Sequence, residues 1–447
     1  MIRTTYCALA VAVTTFGCVH TAAQGALTPR DEVQLHLERK EYDAALPLLE
    51  ELHRAAPSDL TIARQLTEAE VRTHRAESFI ARLEKSDEGR PPAVTRYMLG
   101  LARFAGPAQA DRAIADFEAA AALAPDEPEF HYRLGLALLE SEQYTNALPP
   151  LQKARALAPD RHDLLLPLAK ALHRTGDRKG AVETLRALVE AGPTPEEVRV
   201  ARAIMNQIAD PFAQIPQAAR AKLDEGLLWL NDRDVPQQAI VAFEEILRDF
   251  PDLGEVHALL GLAWQKLDDA GRAMEELRRA IELLPEDGRC RLYLGLLYQS
   301  RQRPEQAATW FEQALELNPL LDDAWFALGD YALERHDLPK AHRAFRALSF
   351  LQPDSPAAHG KYALVLQYEG DFAAADRELH AVLDRDPENV EFMLRLGILH
   401  FEHQKAARTA AERATAAAEA EKWLRKVLEV QPQNAVASRA LKQLHAP

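Results

Sequence analysis

A chain of 447 residues, 47% of them hydrophobic, can bury a substantial core, and its 19 Gly and 27 Pro act as punctuation rather than as low-complexity sequence. The formal charge of −15, from 68 acidic against 53 basic residues, argues against a general nucleic-acid binder, whose affinity needs clustered Lys and Arg. The three cysteines form no CxxC pair and no disulfide framework.

The first residues differ from all that follow. Met1, Ile2 and Arg3 make a short basic start, Tyr6 to Phe16 a largely apolar run, and Thr21, Ala22 and Ala23 a small-residue cleavage site. The run is too short for an ordinary membrane-spanning helix. Residues 1–23 resemble a secretory signal peptide, which implies an exported chain, periplasmic or associated with the outer membrane if the source is bacterial. Cys18, after Gly17, also resembles the acceptor cysteine of a bacterial lipoprotein, although Thr15 and Phe16 depart from that pattern. Cleavage near Ala23 and lipidation at Cys18 are alternatives, and only the second ties the chain to a membrane, through a lipid. Of the other cysteines, Cys7 lies in the leader and Cys290 reads as a small buried apolar residue.

Beyond residue 30 a period of 34 takes over. It is marked by Pro57, Pro91, Pro125, Pro159 and Pro193, and again by Pro251, Pro285, Pro319, Pro353 and Pro387, with Pro432 as an eleventh mark. Twelve residues before each proline stands Ala, with Phe79 as the exception, and eight before it stands Leu or Phe. In the stretch Gly288 to Leu321, Leu294, Gly295 and Tyr298 make one helical face and Ala307, Phe311, Ala314 and Leu315 another. Ser300 to Pro304 is short and polar, as a turn between antiparallel helices requires, and Pro319 stops the second helix. Leu294, Gly295, Tyr298, Ala307, Phe311, Ala314 and Pro319 together resemble the signature of the tetratricopeptide repeat. The resemblance implies an all-α superhelix of about eleven helix-turn-helix repeats that works by holding other molecules.

In chain order, residues 30–193 read as an N-terminal array of five units, the second of which departs from the pattern at Thr67, Glu70 and Phe79. In residues 194–217, Thr194, Pro195, Glu196 and Glu197 open a helix with a capping side chain, a first-turn proline and acids at its positive end. Val198, Ala201, Met205 and Ile208 share its apolar face, while Arg199, Arg202 and Asn206 face away. This unpaired helix is expected to cap the first of two stacked arrays. Residues 218–434 read as a C-terminal array whose last unit is 11 residues too long, and the Ala- and Glu-rich stretch Lys405 to Lys422 favours longer helices over a loop. Residues 435–447 read as a closing helix with Val436, Leu441 and Leu444.

No Walker, GxGxxG, HExxH or GxSxG pattern occurs, and His400, Glu402 and His403 lack metal-ligand spacing, so no enzyme, cofactor or metal is expected. Asp268-Asp269 and Asp322-Asp323 read as turn and capping residues. Family resemblance places the residue after each Leu-Gly step on the concave face: Leu101, Leu136, Lys170, Leu262, Leu296, Asp330, Leu364 and Ile398. With Tyr97, Tyr132 and Phe326 one turn before, and Gln265, Gln299, Gln367 and Phe401 one turn after, they outline a groove for extended or helical segments of other proteins. Tyr132, Phe326 and Phe401 are the expected anchors and the three glutamines the expected backbone partners. Taken singly, each Leu also fits a plain core role. The sequence thus reads as a non-enzymatic protein-binding scaffold of the cell envelope, the alternative being an accessory of envelope polysaccharide export whose aromatic groove residues would stack on sugars.

Overall fold

The computed structural model describes residues 27–85, 90–106, 109–210 and 212–445, so the expected leader, Cys18 and the cleavage site near Ala23 lie outside it. The chain divides into two compact units, Met1–Thr184 and Leu185–Pro447. The described residues are all-α, with no strand.

In the first unit α1 (Pro29–Glu38) stands with α2 (Tyr42–Ala55), α3 (Leu60–Arg72) with α4 (Ala76–Lys85), α5 (Pro92–Phe104) with α6 (Ala110–Leu123), and α7 (Pro128–Glu140) with α8 (Tyr144–Leu157). A single 3-10 turn (His162–Leu164) leads to α9 (Leu165–Arg174), and α10 (Arg178–Ala191) crosses the division between the units. The second unit continues with α11 (Pro195–Ile208). Its pairs are α12 (Gln217–Leu227) with α13 (Pro236–Asp249), α14 (Gly254–Lys266) with α15 (Ala270–Leu283), α16 (Gly288–Ser300) with α17 (Pro304–Leu317), α18 (Asp322–Glu334) with α19 (Leu338–Leu351), α20 (Pro356–Glu369) with α21 (Phe372–Leu383), and α22 (Val390–Ala406) with α23 (Ala410–Val430). The last helix is α24 (Ala435–Leu444).

Each periodic mark of the sequence has a place in the core. The Leu or Phe eight residues before every repeat proline is at most 3% exposed, from Leu49 to Leu424. The Ala twelve before is buried as well, and Phe79, its one replacement, is buried too. The glycine of the Leu-Gly step is required by close approach: a Cβ on Gly295 would stand 2.6 Å from the Phe311 ring. Consecutive repeats are joined by ion pairs near their turns, such as Arg75 to Asp43 at 2.9 Å and Arg301 to Asp268 at 2.8 Å. Such exposed pairs each contribute only about 0–1 kcal/mol, so apolar packing carries the stack.

The turn between the two helices of a pair holds a feature that residue types conceal. Lys40, His74, Glu142 and Gly176 in the first unit, and Asp234, Asp268, Gln302, His336 and Gly370 in the second, all have left-handed backbone. They share the 34-residue period, yet only two are glycine. At a non-glycine residue this conformation costs about 1 kcal/mol.

The departures from regularity are also explained. In the second repeat Thr67 turns its hydroxyl back to the Ala63 carbonyl at 2.8 Å, and buried Glu70 accepts from Arg82 at 2.7 Å. Helices α22 and α23 have 17 and 21 residues where α16 and α17 have 13 and 14, which accounts for the 11 extra residues of the last repeat. Ala437 and Ala440 form the buried face of α24, whereas Val436 is exposed.

Helix α11 starts at the expected capping box, in which the Thr194 hydroxyl accepts from the Glu197 amide and the Glu197 carboxylate accepts in return. Val198, Ala201, Ile204 and Met205 are its buried face. Within the second unit it packs against α19, and this corrects one expectation. Arg202 does not face away into solvent: it donates to both carboxylate oxygens of Asp322 at 2.9 Å and to the Leu351 carbonyl at 3.2 Å. The sequence could not show this, because the partners lie more than 100 residues further on.

Candidate partner-binding groove

On the first helix of a pair, glycine of the Leu-Gly step faces the second helix, and the next residue, about 100° further round, turns away from it. That residue is half-buried in all eight repeats: Leu101, Leu136 and Lys170 in the first unit, and Leu262, Leu296, Asp330, Leu364 and Ile398 in the second. A residue that only filled the core would be buried throughout. Six of these eight residues are Leu or Ile.

The flanking residues divide. One turn before, Tyr97 and Tyr132 are buried and Phe326 is half-buried. One turn after, Gln265 and Gln367 are half-buried, Gln299 is exposed and Phe401 is buried. Tyr132 and Phe401, expected as anchors, are thus only 8% and 7% exposed, because neighbouring side chains cover their rings. The Arg161 guanidinium lies 4.7 Å from the Tyr132 ring centre, and the Lys405 ammonium lies 4.0 Å from that of Phe401. Phe326 meets Phe345 edge-on at 6.2 Å and keeps part of its ring open. The Asp330 carboxylate accepts from Lys361 at 2.7 Å, and that ammonium also stands over Phe326. Gln265 keeps its side-chain oxygen buried with no hydrogen-bond partner.

Sequence reading missed two carboxylates in these helices, Glu129 and Glu255, each four residues after a repeat proline. Glu129 is the hub of the first unit's groove. It accepts from the Tyr97 hydroxyl at 3.0 Å, Arg133 at 2.7 Å and Arg161 at 2.8 Å. Burial alone would raise its pKa, but the two guanidiniums outweigh burial and hold the carboxyl below its usual range. Burial pushes the phenols up, that of Tyr132 to about 12. Glu255 is buried in the second unit and accepts from Arg289 at 2.9 Å, but Arg289 is shared with Asp287. Burial raises the Glu255 carboxyl, Arg289 opposes this, and Asp287 adds to the rise.

The residues weighed for a metal face different partners. His400 bonds Asp376 at 2.9 Å, Glu402 bonds Lys405, and the His403 ring stacks on Phe372 at 4.6 Å. Among the described residues no cluster of three or more His, Cys, Asp or Glu is arranged to hold a metal. Cys290 is buried in the small cluster of Ala258 and Ala280, and burial pushes its thiol up, away from the reactive thiolate. Asp269 caps α15 through the Arg272 amide, whereas Asp322 is taken by Arg202. Among the described residues no helix is long and apolar enough to cross a membrane.

Comparison with known families decides the class. One tetratricopeptide repeat model matches residues 97–162, 259–322, 326–366 and 361–435, more than half of the chain, and a second matches 138–208. The chain belongs to the tetratricopeptide repeat family. Among tetratricopeptide repeat relatives, the mitochondrial import receptor subunit TOM70 of Mus musculus is 28% identical over 131 residues, 29% of this chain and 21% of the receptor. The chain thus matches about a fifth of that relative's length. The BBSome complex member BBS4 of Bos taurus is 23% identical over 309 residues, 64% of this chain and 59% of its own. Of solved structures, that of pilF from Pseudomonas aeruginosa aligns at 20% identity over 51% of this chain and 98% of its own, with a TM-score of 0.41. YrrB, described as a tetratricopeptide repeat protein with an unusual peptide-binding site, aligns at 19% over 45% and 98%, with a TM-score of 0.39.

Proposed function

We propose that this tetratricopeptide repeat chain is a non-catalytic scaffold that holds segments of other proteins along its first helices. The observation that carries the reading is the half-buried residue after each Leu-Gly step, apolar in six of eight repeats and repeated at one position of successive helices. A periodic row of partly open Leu and Ile offers evenly spaced contacts to an extended or helical segment, and Gln265, Gln299 and Gln367 beside it supply amides for its backbone. The open anchor in this reading is Phe326, with the leucines, rather than Tyr132 or Phe401. Partial likeness to an import receptor subunit and to a member of a protein complex is in keeping with it. We place the protein in the cell envelope, exported by the leader at 1–23 and held there by a lipid if Cys18 is acylated; the amino-acid pattern of the leader supports this.

The test is site-specific photocrosslinking in cells. A photoreactive residue is placed at Leu262, Leu296 or Leu364, and at the exposed Glu275 or Arg278 of α15 as a control. Protein adducts at the three leucine positions and none at the controls are expected. Adducts equally strong at the controls, or none at the leucines, overturn the reading, and binding of a glycan would then be examined.

A further inference from the structure

His257 on α14 and His359 on α20 occupy the same position of two repeats, six residues after Pro251 and Pro353. Each Nε2 lies within bonding distance of that proline's carbonyl, at 2.9 and 2.8 Å. Each Nδ1 lies as close to a carboxylate of the second helix of its pair, Glu276 at 2.6 Å and Glu378 at 2.7 Å. A carbonyl oxygen only accepts, so Nε2 carries a proton. Nδ1 can then bond an ionised carboxylate only when the ring carries a second proton.

Other repeats isolate the two halves of this arrangement. His131 makes the same bond to the Pro125 carbonyl at 2.8 Å, but Pro150 stands where the glutamate would be. Trp325 donates to the Pro319 carbonyl at 2.8 Å, and Ala344 stands at the glutamate position. A ring N–H on the proline carbonyl therefore recurs whether or not the ring can titrate, and the carboxylate is added at His257 and His359.

We infer that the helix pairs α14–α15 and α20–α21 are fastened by proton-operated clamps, closed when His257 and His359 are doubly protonated and loosened as pH rises. The opposing charges are Arg279 on α15 and Arg385 just beyond the end of α21. Each is itself engaged by an acid next to the repeat proline, Asp252 at 2.8 Å and Asp354 at 3.0 Å. No other helix among the described residues forms an ion pair with either ring. Burial works against the charged imidazole, but the glutamate and the proline carbonyl outweigh it, and both rings titrate above the ordinary histidine value. The stabilisation is thus fully present below the ordinary value and is lost as pH rises through the higher folded value.

The experiment uses the full chain. Imidazole NMR titration reads His257 and His359 directly, and both are expected to titrate above the ordinary histidine value. Amide exchange in α15 and α21, corrected for the intrinsic rate, is expected to speed up severalfold as pH rises from below the ordinary histidine value to well above it. The pH dependence should flatten in Glu276→Gln for α15 and in Glu378→Gln for α21. Titration of His257 and His359 at or below the ordinary histidine value, or pH dependence unchanged in these variants, overturns the inference.

Discussion

Glu129 in the first unit and Glu255 in the second occupy one position of the repeat, four residues past its proline, and titrate in opposite directions. Burial penalises the charge of both. Around Glu129 the Arg133 guanidinium and the Tyr97 phenol join Arg161, which Asp163 shares, whereas Glu255 has only Arg289, which Asp287 shares. Repeat position thus sets how deeply a side chain lies, and the neighbouring repeat sets what charge it carries. The first unit has a charged hub held by three donors, and the second has at the same position a carboxyl held by one.

The comparison presumes equivalent apolar cores in the two units, and this can be tested with the largest effect. Phe117→Ala and Phe311→Ala remove rings buried at equivalent positions and should each cost about 3–5 kcal/mol, measured by denaturant unfolding with amide exchange to locate the loss. A much smaller loss in one unit would show that its repeats are held by something other than this core.

Charge should separate the units. Glu129→Gln leaves half-buried Arg133 without its anion, although Arg161 keeps Asp163, and should cost about 3 kcal/mol, whereas Glu255→Gln should cost less than about 1 kcal/mol because its one partner, Arg289, keeps Asp287. Acid sharpens the contrast. The depressed Glu129 carboxyl contributes stability that is present above its unfolded value and lost as pH falls through the folded one. The raised Glu255 carboxyl takes up its proton earlier, and the second unit gains as pH falls through that value. Equal acid responses of the two variants would break the comparison.

The smallest effect concerns the turns. Gln302→Gly relieves a left-handed residue and should stabilise by about 1 kcal/mol in thermal unfolding. Asp268→Gly should gain less, because it also removes the carboxylate that Arg301 pairs with, leaving only the backbone carbonyl as acceptor.

Most of the fold could be read from the eleven prolines and the residues eight and twelve before them, since these are defined by type and all serve the core. The left-handed turns escaped notice because Lys40, Glu142, Gln302 and His336 share a conformation and no chemistry; Gly176 and Gly370 at the same phase were the available clue. The stripe after the Leu-Gly step was named from the family resemblance, and its half-buried state is what the structure adds. Burial of Tyr132 and Phe401 could not be foreseen, because it is set by Arg161 and Lys405, which stand outside the repeat signature. Arg202 was misread for a different reason, that its acceptors lie several repeats further along the chain.

The left-handed turn residue has one more consequence. In the second unit the five pairs before α22 all contain it, and the turn from α22 to α23, where the helices are longer, does not. A reversal of backbone hand acts as a stop, fixing where the first helix of a pair must end and the second begin. At the one turn of this unit without the stop, the two helices are longer by 4 and 7 residues than α16 and α17, close to one and two whole turns.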